Sequence, residues 1–226
     1  MIALKGTRIA GSAPREDVDA ELAALLDRGR RHARWQRLGC AVTTGGLIAG
    51  VTLMVLGHYY TMGVVGLVML FAYVASQSLD PELEDDRRVL LVRELLAKLP
   101  IDEAAPIGLE LELNDYMYEK PVEKEPRRAG KLRARYAQRW LKLGFLAESG
   151  ERVTLALTVE ATLEQDGIDV EEREERERAV LAFEEDGEPL EREVEPVRGW
   201  RREDDGFVVE GLASAGQVRA LIESAL

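Results

Sequence analysis

The chain has 226 residues and a formal net charge of -12, unevenly spread: 8 Lys/Arg against 5 Asp/Glu from Met1 to Arg37, none of either between Leu38 and Ser78, and 22 against 37 from Leu79 onward. An acidic body repels a phosphate backbone, which argues against nucleic-acid binding as the main role. One cysteine, Cys40, leaves no intramolecular disulfide, and no Cys/His cluster offers a zinc site.

Residues 1–14 are rich in Gly, Ser and Ala without a pattern and read as a flexible N-terminus. From Arg15 to Arg37, Val18, Leu22, Leu25 and Leu26 recur at helical spacing, which predicts a cytoplasmic amphipathic helix. Two long uncharged runs follow, Leu38–Gly57 and about Tyr59–Ser76. Each approaches the roughly 20 residues that cross a bilayer. They predict a transmembrane helical hairpin, with spans at 38–57 and 59–77. Arg28, Arg30, Arg31, Arg34 and Arg37 precede it, Arg87, Arg88, Arg93 and Lys98 follow it, and the connection at His58–Thr61 carries no cation. That asymmetry places both termini in the cytoplasm of a multi-pass protein of the bacterial inner membrane. An excess of Arg over Lys, 24 to 6, reads as the coding bias of a GC-rich bacterium.

Small residues recur along the spans. Gly46 and Gly50 form a GxxxG pair, Ala41, Gly45 and Ala49 a second line, and Gly63 and Gly66 lie on the second run. Such lines allow backbones to approach closely. They serve either packing between the two helices of one chain or association of several chains into a homo-oligomer. Cys40, at the start of the run, reads as a small apolar residue.

Asp80–Pro81 reads as a helix start, with Glu82, Glu84, Asp85 and Asp86 in the first turn, and Pro100 ends that juxtamembrane helix near Leu99. Beyond it, alternation in Leu109–Leu113, a hairpin of 139–147 and 152–163 around Glu148-Ser149-Gly150-Glu151, and short strands at 179–183, 191–197 and 206–210 predict a small antiparallel sheet. A helix from Ser214 to Ala225 closes it, with Val218, Leu221 and Ile222 inward. The expected fold class is a membrane protein of α+β type: a two-helix transmembrane hairpin plus a small cytoplasmic sheet domain, residues 100–226, closed by a C-terminal helix.

Two charge blocks mark that domain. Lys120–Lys142 carries 9 Lys/Arg against 2 Asp/Glu, and Glu164–Glu195 carries 15 Asp/Glu against 4 Arg. Lys120, Lys124, Arg127, Arg128, Lys131, Arg133 and Arg135 are the candidate residues for binding anionic headgroups or a partner protein. Alternatively, the basic and acidic blocks neutralise each other within the fold. The acidic block also reads as a loop that keeps the domain soluble.

Catalytic signals are absent. His32 and His58 fall on opposite sides of the expected membrane, and no GxSxG, Walker A, GxGxxG or HExxH occurs. Asp115, Tyr116 and Tyr118 cluster at a strand end with nothing to partner them. No enzyme, metal or cofactor is expected.

The hairpin followed by a β domain, with the tail GFVVEGLASAGQVRALIESAL and its Val218, Leu221, Ile222 and Ala225, resembles bacterial membrane-anchored proteins with pleckstrin-homology-like domains. The RWLKLGFLAESGERVTLAL hairpin is similar to one in uncharacterised two-span bacterial proteins with a cytoplasmic β-rich domain. The resemblance implies a final strand and capping helix and brings no binding residues. The sequence thus leads to a membrane-anchored, non-enzymatic scaffold or accessory protein that binds a partner protein or the inner leaflet of the lipid bilayer; the alternative is an oligomeric channel or pore.

Overall fold

Three long antiparallel strands organise the molecule: β5 (Leu132–Leu146), β6 (Arg152–Asp166) and β7 (Asp169–Glu185). The computed structural model describes residues 2–5, 8–56, 59–77, 86–102, 105–114, 120–126, 132–166, 169–204 and 206–226. Among these, the sheet extends on one side through β3 (Ile107–Glu112) and β2 (Arg8–Ala13) to β1 (Ile2–Lys5). On the other it extends through β10 (Gly206–Glu210) to β9 (Arg201–Glu203). Two further strands lie off this path: β4 (Glu123–Pro126) pairs with β5, and β8 (Glu188–Leu190) pairs with β7.

Side chains alternate across these strands because the strand period is two. Tyr136, Leu141, Leu143 and Phe145 of β5 share one face with Val153, Leu155, Leu157, Val159, Ala161 and Leu163 of β6, and all are buried. Leu109 and Leu111 of β3 and Phe207 of β10 continue this face. It is the core face. Helices supply its cover: Val18 and Leu22 at the start of α1 (Arg15–Val55), Val89, Val92, Leu95 and Leu96 of α3 (Asp86–Lys98), and Val218, Leu221 and Ile222 of α4 (Ala215–Glu223).

Alternation breaks once in β5. Arg139 pairs with Thr158 and Leu141 with Leu157, so Trp140 is an extra residue opposite the β6 ladder. A bulge of this kind re-aims a side chain, and here Trp140 and Leu141 are both buried. The β5–β6 turn closes at Gly150, whose φ of +93° suits glycine, with the Gly150 amide donating to the Ala147 carbonyl at 2.9 Å. The β7–β8 turn uses Asp186 and Gly187, both at positive φ. This is the Asp-Gly signature of a tight hairpin. Ser214 caps α4 in a capping box: its Oγ accepts from the Gln217 amide while the Gln217 side chain accepts from the Ser214 amide.

The chain divides into two units, Met1–Leu22 with Asp85–Leu226 and, by itself, Ala23–Glu84. The second unit holds most of α1 and all of α2 (Tyr59–Gln77). Within it the described side chains of residues 38–52 are exposed except Gly39, Thr43, Gly46 and Gly50, which are half-buried, as are Val65 and Met69 of α2. The two helices meet where Gly46 faces Met69. A Cβ on Gly46 would collide with Met69 Cγ and lie 2.7 Å from its Sδ.

Several expectations are corrected here. Among the described residues no helix is long and apolar enough to cross a membrane. The transmembrane hairpin, the membrane-protein fold class and the multi-pass inner-membrane location with both termini cytoplasmic fall with that finding. The first run continues the charged stretch Arg15–Arg37 within one 41-residue helix, α1, and the second fills the 19-residue helix α2, which starts at Tyr59 and ends at Gln77. Nor is the sheet small: it has ten strands among the described residues. Residues 2–5 and 8–13, expected to be loose, form β1 and β2. Both charge blocks are largely strand, in β5 and β7, and 191–197 is not a strand. The Asp80–Pro81 helix start, His58, and the Asp115, Tyr116 and Tyr118 cluster lie outside the described residues.

Candidate functional site

The face of the sheet opposite the core carries charge in cross-strand rows. In one row Glu123 of β4 pairs with Arg135 of β5, Arg135 with Thr162 of β6, and Thr162 with Glu174 of β7. In the next, Glu160 of β6 pairs with Arg176 of β7 and Arg176 with Glu210 of β10. Opposite charges directly across a ladder attract, each pair contributing a fraction of 1 kcal/mol. Backbone pairing thus sets the register that brings these charges together.

Glu160 is the hub. Its side chain is only 13 % exposed. Arg176 donates to Oε2 through Nη2 at 2.6 Å and Nε at 2.9 Å. The Arg135 guanidinium lies 3.6 Å from the same oxygen and that of Arg178 3.9 Å from Oε1. The Glu160 carboxylate raises the Arg176 pKa above its ordinary value, chiefly through these hydrogen bonds. A cleft of about 630 Å³ opens over this hub. Glu123 and Glu125 of β4 form one wall, Glu174 and Glu210 the other, and Arg133, Arg135, Glu160 and Arg176 line the space between. Six glutamates, three arginines and one threonine line it in all.

Of the basic residues singled out in the sequence, Arg133 and Arg135 lie in this cleft. Lys124 alternates to the other side of β4 from Glu123 and Glu125, and Lys120 is exposed outside the cleft. Arg127, Arg128 and Lys131 lie outside the described residues. Sequence reasoning missed Glu160, Arg176, Glu174 and Glu210. The signal that could have found them is alternation within β6 and β7, hidden because charged residues occupy both faces of β7 near its start.

The small residues divide. Gly46 packs against Met69 within the hairpin, and Gly50 is likewise half-buried. Ala41, Gly45 and Ala49 are exposed, as are Gly63 and Gly66, and a Cβ on Gly45, Gly63 or Gly66 would meet nothing within 4 Å.

A second concavity, a groove of about 1,120 Å³, lies between the start of α1 and residues 90–97 of α3. Leu90, Leu96 and Ala97 of α3 line it with Pro14 and Ala20. Arg93 closes a two-point ion pair onto Asp19 there, at 2.7 and 3.0 Å, and this pairing holds the Asp19 carboxyl below its usual range.

A third polar group is sealed beneath α3. Glu177 is fully buried, and its carboxylate accepts from the indole N–H of Trp140 and the amide of Ala213, each at 2.5 Å. Arg88 lies over the Trp140 ring, 5.4 Å from its centre, and donates to the Glu112 and Asn114 carbonyls and to Gln138 Oε1. Arg87 donates to the Ala213 carbonyl at 2.7 Å. Ala213, which leads into α4, is therefore held at both its N–H and its C=O. This network has no opening to solvent at Glu177, and its partners are structural.

Among the described residues no group of three or more His, Cys, Asp or Glu is placed to hold a metal ion. Comparison with protein-family models, curated proteins and solved structures finds no match.

Proposed function

We propose that the protein is a non-enzymatic binding protein, a scaffold or accessory component, whose open sheet face receives a partner protein. The observation that carries this reading is the cleft over Glu160. Its charged groups stand on five hydrogen-bonded strands, so they are held in place before any partner arrives, which lowers the ordering cost of association. Both signs of charge are present, which favours one register of a complementary surface and penalises others.

The test compares the full chain with a double charge reversal, Arg135→Glu with Arg176→Glu, as baits in lysate of the source cell. Retention of a discrete protein by the wild type, weakened by salt and lost from a variant that keeps its circular dichroism, supports the reading. Identical capture by both baits counts against the cleft. Turnover of a substrate that depends on cleft residues would overturn the non-enzymatic assignment.

A further inference from the structure

The charges of the cleft over Glu160 do not balance. Its arginines all face acids of their own chain. Arg135 and Arg176 close on Glu160, and Arg133 stands in register between Glu125 of β4 and Glu164 of β6. Several of its glutamates have no such match. Glu123 faces Arg135 and Glu210 faces Arg176, both arginines already held by Glu160, and Glu174 faces the neutral Thr162. The carboxylates of Glu123, Glu174 and Glu210 make no hydrogen bond or ion pair among the described residues, and all three residues are exposed. The charge left over in the cleft is therefore negative. It stands on both walls, above a floor whose cations are already matched.

We infer that the occupant of this cleft is a basic segment of a partner protein, laid extended across the strands with Lys or Arg side chains at alternate positions. This deepens the recognition reading above and rests on it. Spacing supports the form of the segment. Glu123 of β4 and Glu174 of β7 share one row across β5 and β6, and three strand steps separate them by about 14 Å. Glu210 lies one strand further and, through its partner Arg176, two residues along, which places it about 20 Å from Glu123. In an extended segment residues i and i+4 are about 13 Å apart and i and i+6 about 20 Å, and a period of two points all three side chains to one side. Charge outside the cleft acts the same way. The chain carries a net charge of -12, and Glu164–Glu195, which enters the cleft wall, holds 15 Asp/Glu against 4 Arg. This field draws a cationic segment in and repels an anionic one. Arg135 and Arg176 contribute by neutralising Glu160, which fixes the carboxylates that remain to bind.

Fluorescence anisotropy of a labelled octapeptide alternating Lys and Ser, titrated with the full chain at low and at physiological salt, tests this. An octapeptide alternating Glu and Ser is the opposite-charge probe. Two triple variants carry the same change in net charge. Glu123→Gln with Glu174→Gln and Glu210→Gln removes the cleft carboxylates, whereas Glu188→Gln with Glu191→Gln and Glu195→Gln removes exposed ones outside the cleft. All six positions are exposed and the exchange is close to isosteric, so both variants should keep the wild-type circular dichroism. The expected result is binding of the lysine peptide and not of the glutamate peptide, weakened by salt. The cleft variant should bind at least tenfold more weakly, and the control variant within twofold of the wild type. Three outcomes overturn the inference: no binding of the lysine peptide, equal weakening in both variants, or preference for the glutamate peptide. Lysate capture separates this from the recognition reading. A partner lost by Arg135→Glu with Arg176→Glu but kept by the cleft glutamine variant overturns the basic occupant alone, and capture that neither variant alters overturns both.

Discussion

The Glu177 carboxylate and the Trp140 indole meet at 2.5 Å inside the core, a charged acceptor and a neutral donor with no solvent between them. The β5 bulge makes this contact possible by turning Trp140 inward next to Leu141. Because the Ala213 amide is the carboxylate's other partner, the pair also anchors the approach to α4. Trp140→Phe keeps most of the ring and removes the donor, leaving a buried acceptor short of a partner. Such a loss costs about 1–3 kcal/mol, and denaturant unfolding should show it as a lower midpoint with an unchanged slope.

Burial also sets how the protein responds to pH. Desolvation raises the Glu177 pKa above its ordinary 4.5, against the opposing pull of the two hydrogen bonds and of Arg87 and Arg88. A folded pKa above the unfolded one means that the folded state holds the proton more tightly. This contribution to stability is complete below the unfolded pKa and is lost as pH rises through the folded one. Glu177→Gln does not titrate. Its amide also turns a donor toward one of two donors, so it destabilises, most strongly near pH 4.5 and progressively less toward pH 7.5. Unfolding midpoints of both proteins across that range check the trend; a gap that widens with pH would contradict it.

Asp19 shows the opposite sign. Hydrogen bonding to Arg93 lowers its pKa below 3.8, so its contribution is present above that pH and disappears as pH falls through the lowered value. Both side chains are more than a third exposed, so solvent screens the pair. Asp19→Asn should cost well under 1 kcal/mol at pH 7, and the cost should shrink as the pH falls. Thermal unfolding at pH 7 and pH 3 measures both.

How much of this was visible in the sequence depended on whether periodicity and chemistry agreed. Gly206–Glu210 was legible as a strand to the residue, and Ser214 as the cap of the last helix, because a short apolar run and a cap residue point the same way. The Glu148–Glu151 turn was legible for the same reason. β7 was not, because Glu-Glu-Arg-Glu-Glu-Arg-Glu-Arg offers no contrast between faces, and only the register with β6 shows that Glu177 points inward while Arg176 and Arg178 point outward. Trp140 was hidden by its bulge, which shifts the alternation by one residue. β2 escaped because Gly, Ser and Ala give a weak strand pattern; only Ile9 and Ala13 bury there.

Gly46 and Gly45 differ by one position and should respond differently to substitution. Gly46→Leu drives a side chain into Met69, and overpacking of this kind costs about 1–3 kcal/mol. Because the obstacle is the flexible Met69 side chain, Met69→Ala should recover much of that loss. Gly45→Ala removes a helical glycine with nothing nearby and should stabilise by up to about 1 kcal/mol. Helix unfolding followed by circular dichroism separates the outcomes, and equal effects at both positions would show that α2 does not pack at Gly46.

Glu160 joins the stability of the sheet to its recognition face. One carboxylate serves Arg135, Arg176 and Arg178, so its removal leaves three guanidiniums, on the two strands that flank β6, repelling one another, whereas removing any one arginine leaves the others paired. Glu160→Gln should therefore cost about 1–2 kcal/mol, more than Arg135→Ala, whose half-exposed side chain should cost less than about 0.5 kcal/mol. Double-mutant cycles should give a larger coupling of Glu160 with Arg176, which makes two hydrogen bonds, than with Arg135 at 3.6 Å. If the cleft is the recognition site, partner binding should fall more steeply than stability in Glu160→Gln, because the hub that fixes the arginines is lost while the sheet remains. Proportional loss of both would make Glu160 a structural residue alone.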